Sequence, residues 1–216
     1  MQPAIIFDMD GVLVDSEPFH KYIWNKVFDY QGIPFTNEYY DTLIGTSGVY
    51  SWNKIIKDFE LKKDIDELMS FHKGLFYQEL EKNDIPAVKG VVETLSILKE
   101  HQFSLSLGSS SPKKLINIIV DRLDIKSYFD FLVSSEDVEN GKPAPDIFLE
   151  IANNYKRPSE NFIVIEDSKN GIKAAKSAGM KGIGYRNVNS GNQDLSQADL
   201  IIESFEELTV QIIKEL

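Results

Sequence analysis

From Val88 onward, short apolar runs alternate with stretches of helical periodicity, and no other feature restricts the fold of this chain so strongly. Residues 103–107, 129–133, 162–165, 182–184 and 200–202 read as strands. Residues 90–100, 113–123, 145–154 and 169–178 read as helices, and a terminal helix closes the chain. Parallel strands need long crossovers, usually helical, so this alternation predicts an α/β fold, a doubly wound parallel sheet covered on both faces. The runs that are apolar throughout suit strands buried on both sides.

One more strand stands apart from the rest. Ala4-Ile5-Ile6-Phe7 is a short apolar run that stops abruptly at Asp8-Met9-Asp10-Gly11, which reads as a buried strand delivering two carboxylates to a loop. Between it and the next element of the alternation lies a region with no comparable strand signal. Phe19, Ile23, Trp24, Val27 and Phe28 recur at helical spacing, and further helical patterns follow at 37–44, 51–59 and 65–81. Ser16 is placed to cap the first of these helices, Pro18 suits its first turn, and Gly32 its end. The expected organisation is therefore an α/β core of residues 1–15 and 86–216 with an all-helical insertion at 16–85. Hinges are expected near 15–18 and 84–88.

Composition narrows the chemistry. With no cysteine among the 216 residues, disulfides, thiolate zinc sites and cysteine nucleophiles are excluded, and any metal must be held mainly by oxygen. A formal charge of -11, spread along the chain, works against a nucleic-acid partner, which needs clustered Lys and Arg. No apolar run is long enough to span a bilayer, and Met-Gln-Pro opens the chain without a signal-peptide pattern. A cytoplasmic monomer without a membrane partner is expected.

In open α/β sheets ligands bind beyond the carboxyl ends of the strands. The residues that follow successive predicted strands are Asp8 and Asp10, then Ser109 to Ser111, then Lys142, then Glu166 and Asp167. Each group has an ordinary explanation as a turn, a cap or a solvated charge. Together they place four polar clusters on one rim. Crowded carboxylates stay ionised only near a cation, and without His or Cys they select a hard ion such as Mg²⁺. Backbone N–H groups, hydroxyls and a Lys suit a phosphoryl group. Phosphoryl transfer is the reaction class this set implies.

These residues resemble the four motifs of the haloacid dehalogenase superfamily. Asp8-Met9-Asp10-Gly11-Val12-Leu13-Val14-Asp15-Ser16, Ser109, Lys142-Pro143 and Glu166-Asp167 stand in that family's order, and the helical insertion is similar to its small cap. The wording is nearest the branch of β-phosphoglucomutase and small sugar-phosphate phosphatases. The resemblance implies Asp8 as nucleophile, forming an aspartyl phosphate, and Asp10 as general acid and base. It implies Mg²⁺ as cofactor, held by Asp8, the backbone carbonyl of Asp10 and Asp167. Glu166 would be either an anchor behind the ligands or a water-mediated metal partner. Ser109, the Ser110 amide and Lys142 would stabilise the phosphoryl oxygens of a small phosphorylated substrate.

Candidate readers of the leaving group in the cap are His20, Trp24, Ile44, Gly45, Thr46, Ser47, Trp52 and Lys73, although cap core is the preferred role for the two tryptophans. In β-phosphoglucomutases an Arg after Gly-x-Ser grips a second phosphate. Here Ile44-Gly45-Thr46-Ser47-Gly48-Val49 puts Gly48 in that place, which favours a phosphatase over a mutase. Asp10 with Asp167 argues against a true dehalogenase, and the cap argues against a signalling receiver domain. A non-catalytic binding module would be expected to have lost at least one motif residue, and none is missing.

Overall fold

The computed structural model describes residues 2–216. The chain separates into two compact units. One comprises residues up to Asp15 together with Pro86–Leu216, and the other is Ser16–Ile85.

The first unit is built on a six-stranded parallel sheet. Its strands are β1 (Ala4–Phe7), β2 (Leu105–Ser109), β3 (Phe131–Ser134), β4 (Phe162–Glu166), β5 (Lys181–Tyr185) and β6 (Leu200–Ile202), in the spatial order β3-β2-β1-β4-β5-β6. Successive strands step outward from β1 to β3, and the chain then returns to the far side of β1. The order therefore reverses between β1 and β4, which is where a doubly wound sheet opens a crevice for ligands. β1 pairs with β2 through Ile6 opposite Ser106 and with β4 through Ile6 opposite Val164.

All four residues of β1 are fully buried, as expected of a central strand with both faces covered. Its side chains alternate between faces. Ala4 and Ile6 join Phe162 and Val164 against Ile147, Phe148 and Ile151 of α7 (Asp146–Tyr155) and against Ala174 and Ala175 of α8 (Lys169–Ser177). Ile5 and Phe7 point to the opposite face, where the Phe7 ring meets Phe129 edge to face at 6.3 Å. Each of these large side chains contributes roughly 1.5–3 kcal/mol by leaving water, so the strand that carries Asp8 is anchored on both sides. Two further helices of this unit, α5 (Val91–Glu100) and α6 (Lys113–Arg122), precede and follow β2, and α9 (Val210–Glu215) closes the chain.

After β1 the chain makes a tight loop. The Met9 carbonyl accepts from the Leu13 and Val14 amides, the Gly11 amide donates to the Val14 carbonyl, and Gly11 takes a φ of 80°. Val14 then pairs antiparallel with Ala87. The Asp15 amide donates to the Pro86 carbonyl at 2.9 Å, and the Val88 amide to the Leu13 carbonyl at 3.0 Å. The segments that leave and re-enter this unit thus run side by side as a two-stranded ribbon.

The second unit consists of α1 (Glu17–Gln31), α2 (Asn37–Asp41), α3 (Gly48–Asp58) and α4 (Ile65–Leu80). Trp24 and Trp52 are buried in its core with ring centroids 5.2 Å apart, and His72 lies 4.2 Å from Trp24. Both tryptophans thus belong to the core of this helical unit.

Several local expectations need correction. Ser16 stands at the start of α1, but its side chain makes no capping bond and its backbone is already helical. A serine must adopt an extended backbone to reach back to the N2 or N3 amide. The helix expected at 37–44 ends at Asp41, and the one expected from 51 begins at Gly48, because the Ser47 hydroxyl caps it by accepting from the Tyr50 amide. The strand expected at 103–107 is displaced to Leu105–Ser109. Ser109 is therefore the last residue of β2 rather than the first of a loop.

Candidate active site

The loop ends at the carboxyl edge of β1, β2 and β4 bring a group of buried charges together. Asp8 follows β1 directly and donates its amide to the Ile165 carbonyl of β4, so its position is set by the sheet ladder. Glu166 is the last residue of β4, and Asp167 follows it; both are buried. Ligand oxygens of Asp8, Glu166 and Asp167 all lie within 4.8 Å of one another.

Lys142 reaches into this group from the loop after β3, with only 5% of its side chain exposed. Its Nζ donates to Asp8 Oδ1 at 2.5 Å, to Glu166 Oε1 at 2.6 Å and to the Gly108 carbonyl at 2.9 Å. Three acceptors match the three N–H donors of an ammonium. The other oxygen of Glu166, Oε2, accepts from the Ser168 amide at 3.1 Å and hydroxyl at 2.9 Å. Both oxygens of Glu166 are therefore committed to protein donors. Gly171 makes room for this carboxylate, since a Cβ there would fall 1.8 Å from it.

Asp10 stands slightly apart. Its Oδ2 accepts from the Ser111 hydroxyl at 2.8 Å, and its carboxylate is outside the triplet of converging oxygens. The serine loop is braced internally. Ser109, buried at the end of β2, accepts from the Ser111 amide at 3.0 Å, while Ser134 and Ser135 donate to the Ser111 and Ser110 carbonyls, each at 2.7 Å. Ser110 itself is exposed.

The electrostatics follow from burial. Removal from water, together with the carboxylates of Glu166 and Asp10, pushes Asp8 up to about 8 although Lys142 pulls it down. Asp167 is also held well above the usual carboxylate range, by burial and then by Glu166 and Asp8. Burial works against the charge on Lys142, but Asp8 and Glu166 overcome it and hold the ammonium above its ordinary value. One ammonium does not offset this many buried acids.

Most of the residues singled out from sequence occupy this one edge: Asp8, Asp10, Ser109, Ser110, Lys142, Glu166 and Asp167. His20 does not belong to this unit. It lies on α1 of the helical unit, half-buried, with its ring stacked on Phe76 at 5.3 Å. Sequence reasoning placed Ser111 in a strand-end cluster without giving it a role, and passed over Ser134 and also Ser190, whose hydroxyl donates to Asp167 Oδ2. Small polar residues in loops carry little signal of their own. Ser111 lay inside a noticed cluster, but nothing marked Ser190.

Sheet order, the carboxyl-edge position and this set of charges define a class, and the chain belongs to the haloacid dehalogenase-like hydrolase family, whose model matches residues 5–185. Among known proteins it is similar to a phosphorylated carbohydrates phosphatase of Thermotoga maritima, with 32% identity over 99% of both chains. It is also similar to a β-phosphoglucomutase of Bacillus subtilis, with 32% identity over 98% of this chain and 94% of that one. Among solved structures, a β-phosphoglucomutase from Clostridium difficile superimposes with a TM-score of 0.79 at 29% identity, covering 100% of this chain and 96% of the other.

Proposed function

We propose that the chain is a Mg²⁺-dependent phosphatase that hydrolyses a small phosphorylated metabolite, a sugar or polyol phosphate, through an aspartyl phosphate on Asp8. The observation that carries this reading is the convergence of Asp8, Glu166 and Asp167 around the ammonium of Lys142. The name of the Thermotoga maritima relative supports a phosphorylated carbohydrate as the substrate class.

Mg²⁺ fits the donor set. The group is made of carboxylates alone, all buried, with a surplus of negative charge that a hard divalent ion would relieve. Asp8, Asp167 and the backbone carbonyl of Asp10 would hold it, while Glu166, with both oxygens taken, anchors Lys142. When bound, the ion supplies positive charge beside the phosphoryl oxygens.

The chain's own residues divide the reaction. An ionised Asp8 oxygen attacks phosphorus; the ester P–O bond breaks, and its electron pair goes to the alcohol oxygen, which takes a proton from Asp10. Water then attacks the phosphorus of the acyl phosphate and gives a proton to Asp10. The bond to Asp8 breaks, which restores the carboxylate and releases phosphate. Ser111 occupies Oδ2 of Asp10 and so leaves Oδ1 for the transferred proton. Lys142 and Ser109 offset charge on the phosphoryl oxygens. The helical unit serves as a cap that reads the leaving group.

Release of aryl alcohol from an aryl phosphate, measured with and without Mg²⁺, tests the class. Metal-dependent turnover is expected, and its absence, or full activity in Asp8→Asn, overturns the reading. A mutase is the second reading, favoured by the name of the Bacillus subtilis relative. β-Glucose 1-phosphate with a trace of the bisphosphate separates the two, since a phosphatase liberates phosphate whereas a mutase accumulates glucose 6-phosphate without it.

A further inference from the structure

The loop that follows β5 makes more polar contacts with the site than any role assigned so far requires. Asn187 is buried, and its Nδ2 donates to the Gly11 carbonyl at 2.9 Å. Its Oδ1 accepts from the Asn189 amide at 2.8 Å, which turns the loop on itself. The Asn189 side chain donates to Asp15 Oδ2 at 2.7 Å, and the buried Ser190 donates to Asp167 Oδ2. Gln193 holds the Ser190 carbonyl at 3.1 Å and accepts from the first amide of α8 at 3.2 Å. Val188, between these residues, is 91% exposed.

Gly11 adds a constraint from the other side. A Cβ there would lie 1.9 Å from Asp167 Oδ2 and 2.9 Å from the Ser190 hydroxyl oxygen. The carboxylate is thus packed against bare backbone on one side and hydrogen bonded by Ser190 at the same oxygen. The plane of a terminal carboxylate is otherwise only loosely set by its own torsion. Groups that orient a metal ligand in this way commonly control how tightly the ion is held.

We propose that Ser190 is a positioning residue for Asp167: its hydroxyl, fixed by Asn187 and Asn189 against the loop after β1, sets the orientation of the carboxylate and thereby the affinity for a divalent cation. The inference rests on the reading of Asp167 as a cation ligand. It couples the segments bearing Asp10 and Asp167 through a loop that contributes no ligand of its own.

Titration of the full-length protein with Mn²⁺, followed by the electron paramagnetic resonance of the free ion, tests it. Ser190→Ala is expected to bind Mn²⁺ about 10–100-fold more weakly, with turnover recovered at saturating cation. Val188→Ser is expected to bind as wild type does. Wild-type affinity in Ser190→Ala, or a loss of turnover that saturating cation does not restore, overturns the proposal. Should Ser190→Ala fail to fold, Ser190→Cys, which keeps the shape and weakens the donor, is expected to show an intermediate loss; unchanged affinity overturns it. Asp167→Asn is run alongside. If it binds Mn²⁺ as wild type does, the assignment of Asp167 as a ligand fails, which is distinguishable from a failure at Ser190 alone.

Discussion

In the α/β unit buried charge is concentrated, whereas in the helical unit the buried carboxylate of Glu79 is balanced locally. Asp8, Glu166 and Asp167 share one small volume with a single ammonium. In the helical unit the buried Glu79 accepts from Tyr22 at 2.8 Å and pairs with Lys26 at 3.4 Å and Lys82 at 3.3 Å. His72 sits uncharged among Trp24 and Trp52. The helical unit thus satisfies its buried charge locally. The other gathers buried acids beyond what its one ammonium offsets, an arrangement that costs stability and marks a candidate functional site.

Substitutions at the concentrated site are expected to change chemistry far more than folding. Asp8→Asn should lower turnover of an aryl phosphate by on the order of 10⁴-fold or more while the circular dichroism spectrum is unchanged. Asp10→Asn should cost on the order of 10²–10⁴-fold, as expected for loss of a general acid and base. If either variant lost its fold instead, the contrast between the units would collapse.

Proton linkage separates the two units by sign. Burial and mutual repulsion raise both Asp8, to about 8, and Asp167, so a cation that binds these carboxylates is expected to compete with protons near neutral pH. Calorimetry in buffers of different ionisation enthalpy should detect the released protons, and cation affinity should fall up to about tenfold per pH unit below pH 8. His72 moves the opposite way. Burial, with help from His20, pushes it down to about 4 from 6.5. Between those values the unfolded chain binds the proton and the folded chain does not. Stability is therefore full above pH 6.5 and falls towards pH 4, by up to about 3 kcal/mol. Denaturant titrations of wild type and His72→Phe should differ in this acid limb alone.

The smallest effect is expected of Trp52→Phe. Truncation to Ala removes a fully buried indole and should cost about 3–5 kcal/mol. Its Nε1, however, is buried without a hydrogen-bond partner among the described residues, so Trp52→Phe removes an unsatisfied donor along with part of the ring. Urea midpoints are expected to place this variant within about 1.5 kcal/mol of wild type.

The sheet was legible because its central strands carry continuous apolar runs and its connections are helical, as with Ala4–Phe7 and residues 162–165. The charged members of the site were legible because each follows a strand, and sheet order brings strand ends together. What escaped depends on loop geometry. Ser190 acts on Asp167 from 23 residues away, and neither periodicity nor spacing announces such a hydrogen bond. Ser16 shows the converse, a good capping residue in a good place whose backbone is helical and whose side chain caps nothing. The start of β2 was misplaced by two residues because Phe103 and Leu105 are both apolar and buried, and only the ladder distinguishes them.

The ribbon formed by Leu13–Asp15 and Pro86–Val88 brings the two ends of the helical segment to neighbouring positions on one hydrogen-bonded ladder. Chain entry and exit so close together make an inserted segment topologically dispensable. A short turn joining Asp15 to Pro86, or a different insertion of any length, would leave the register of the sheet and the site at its edge in place. The register of the sheet is thereby independent of how long the inserted stretch is.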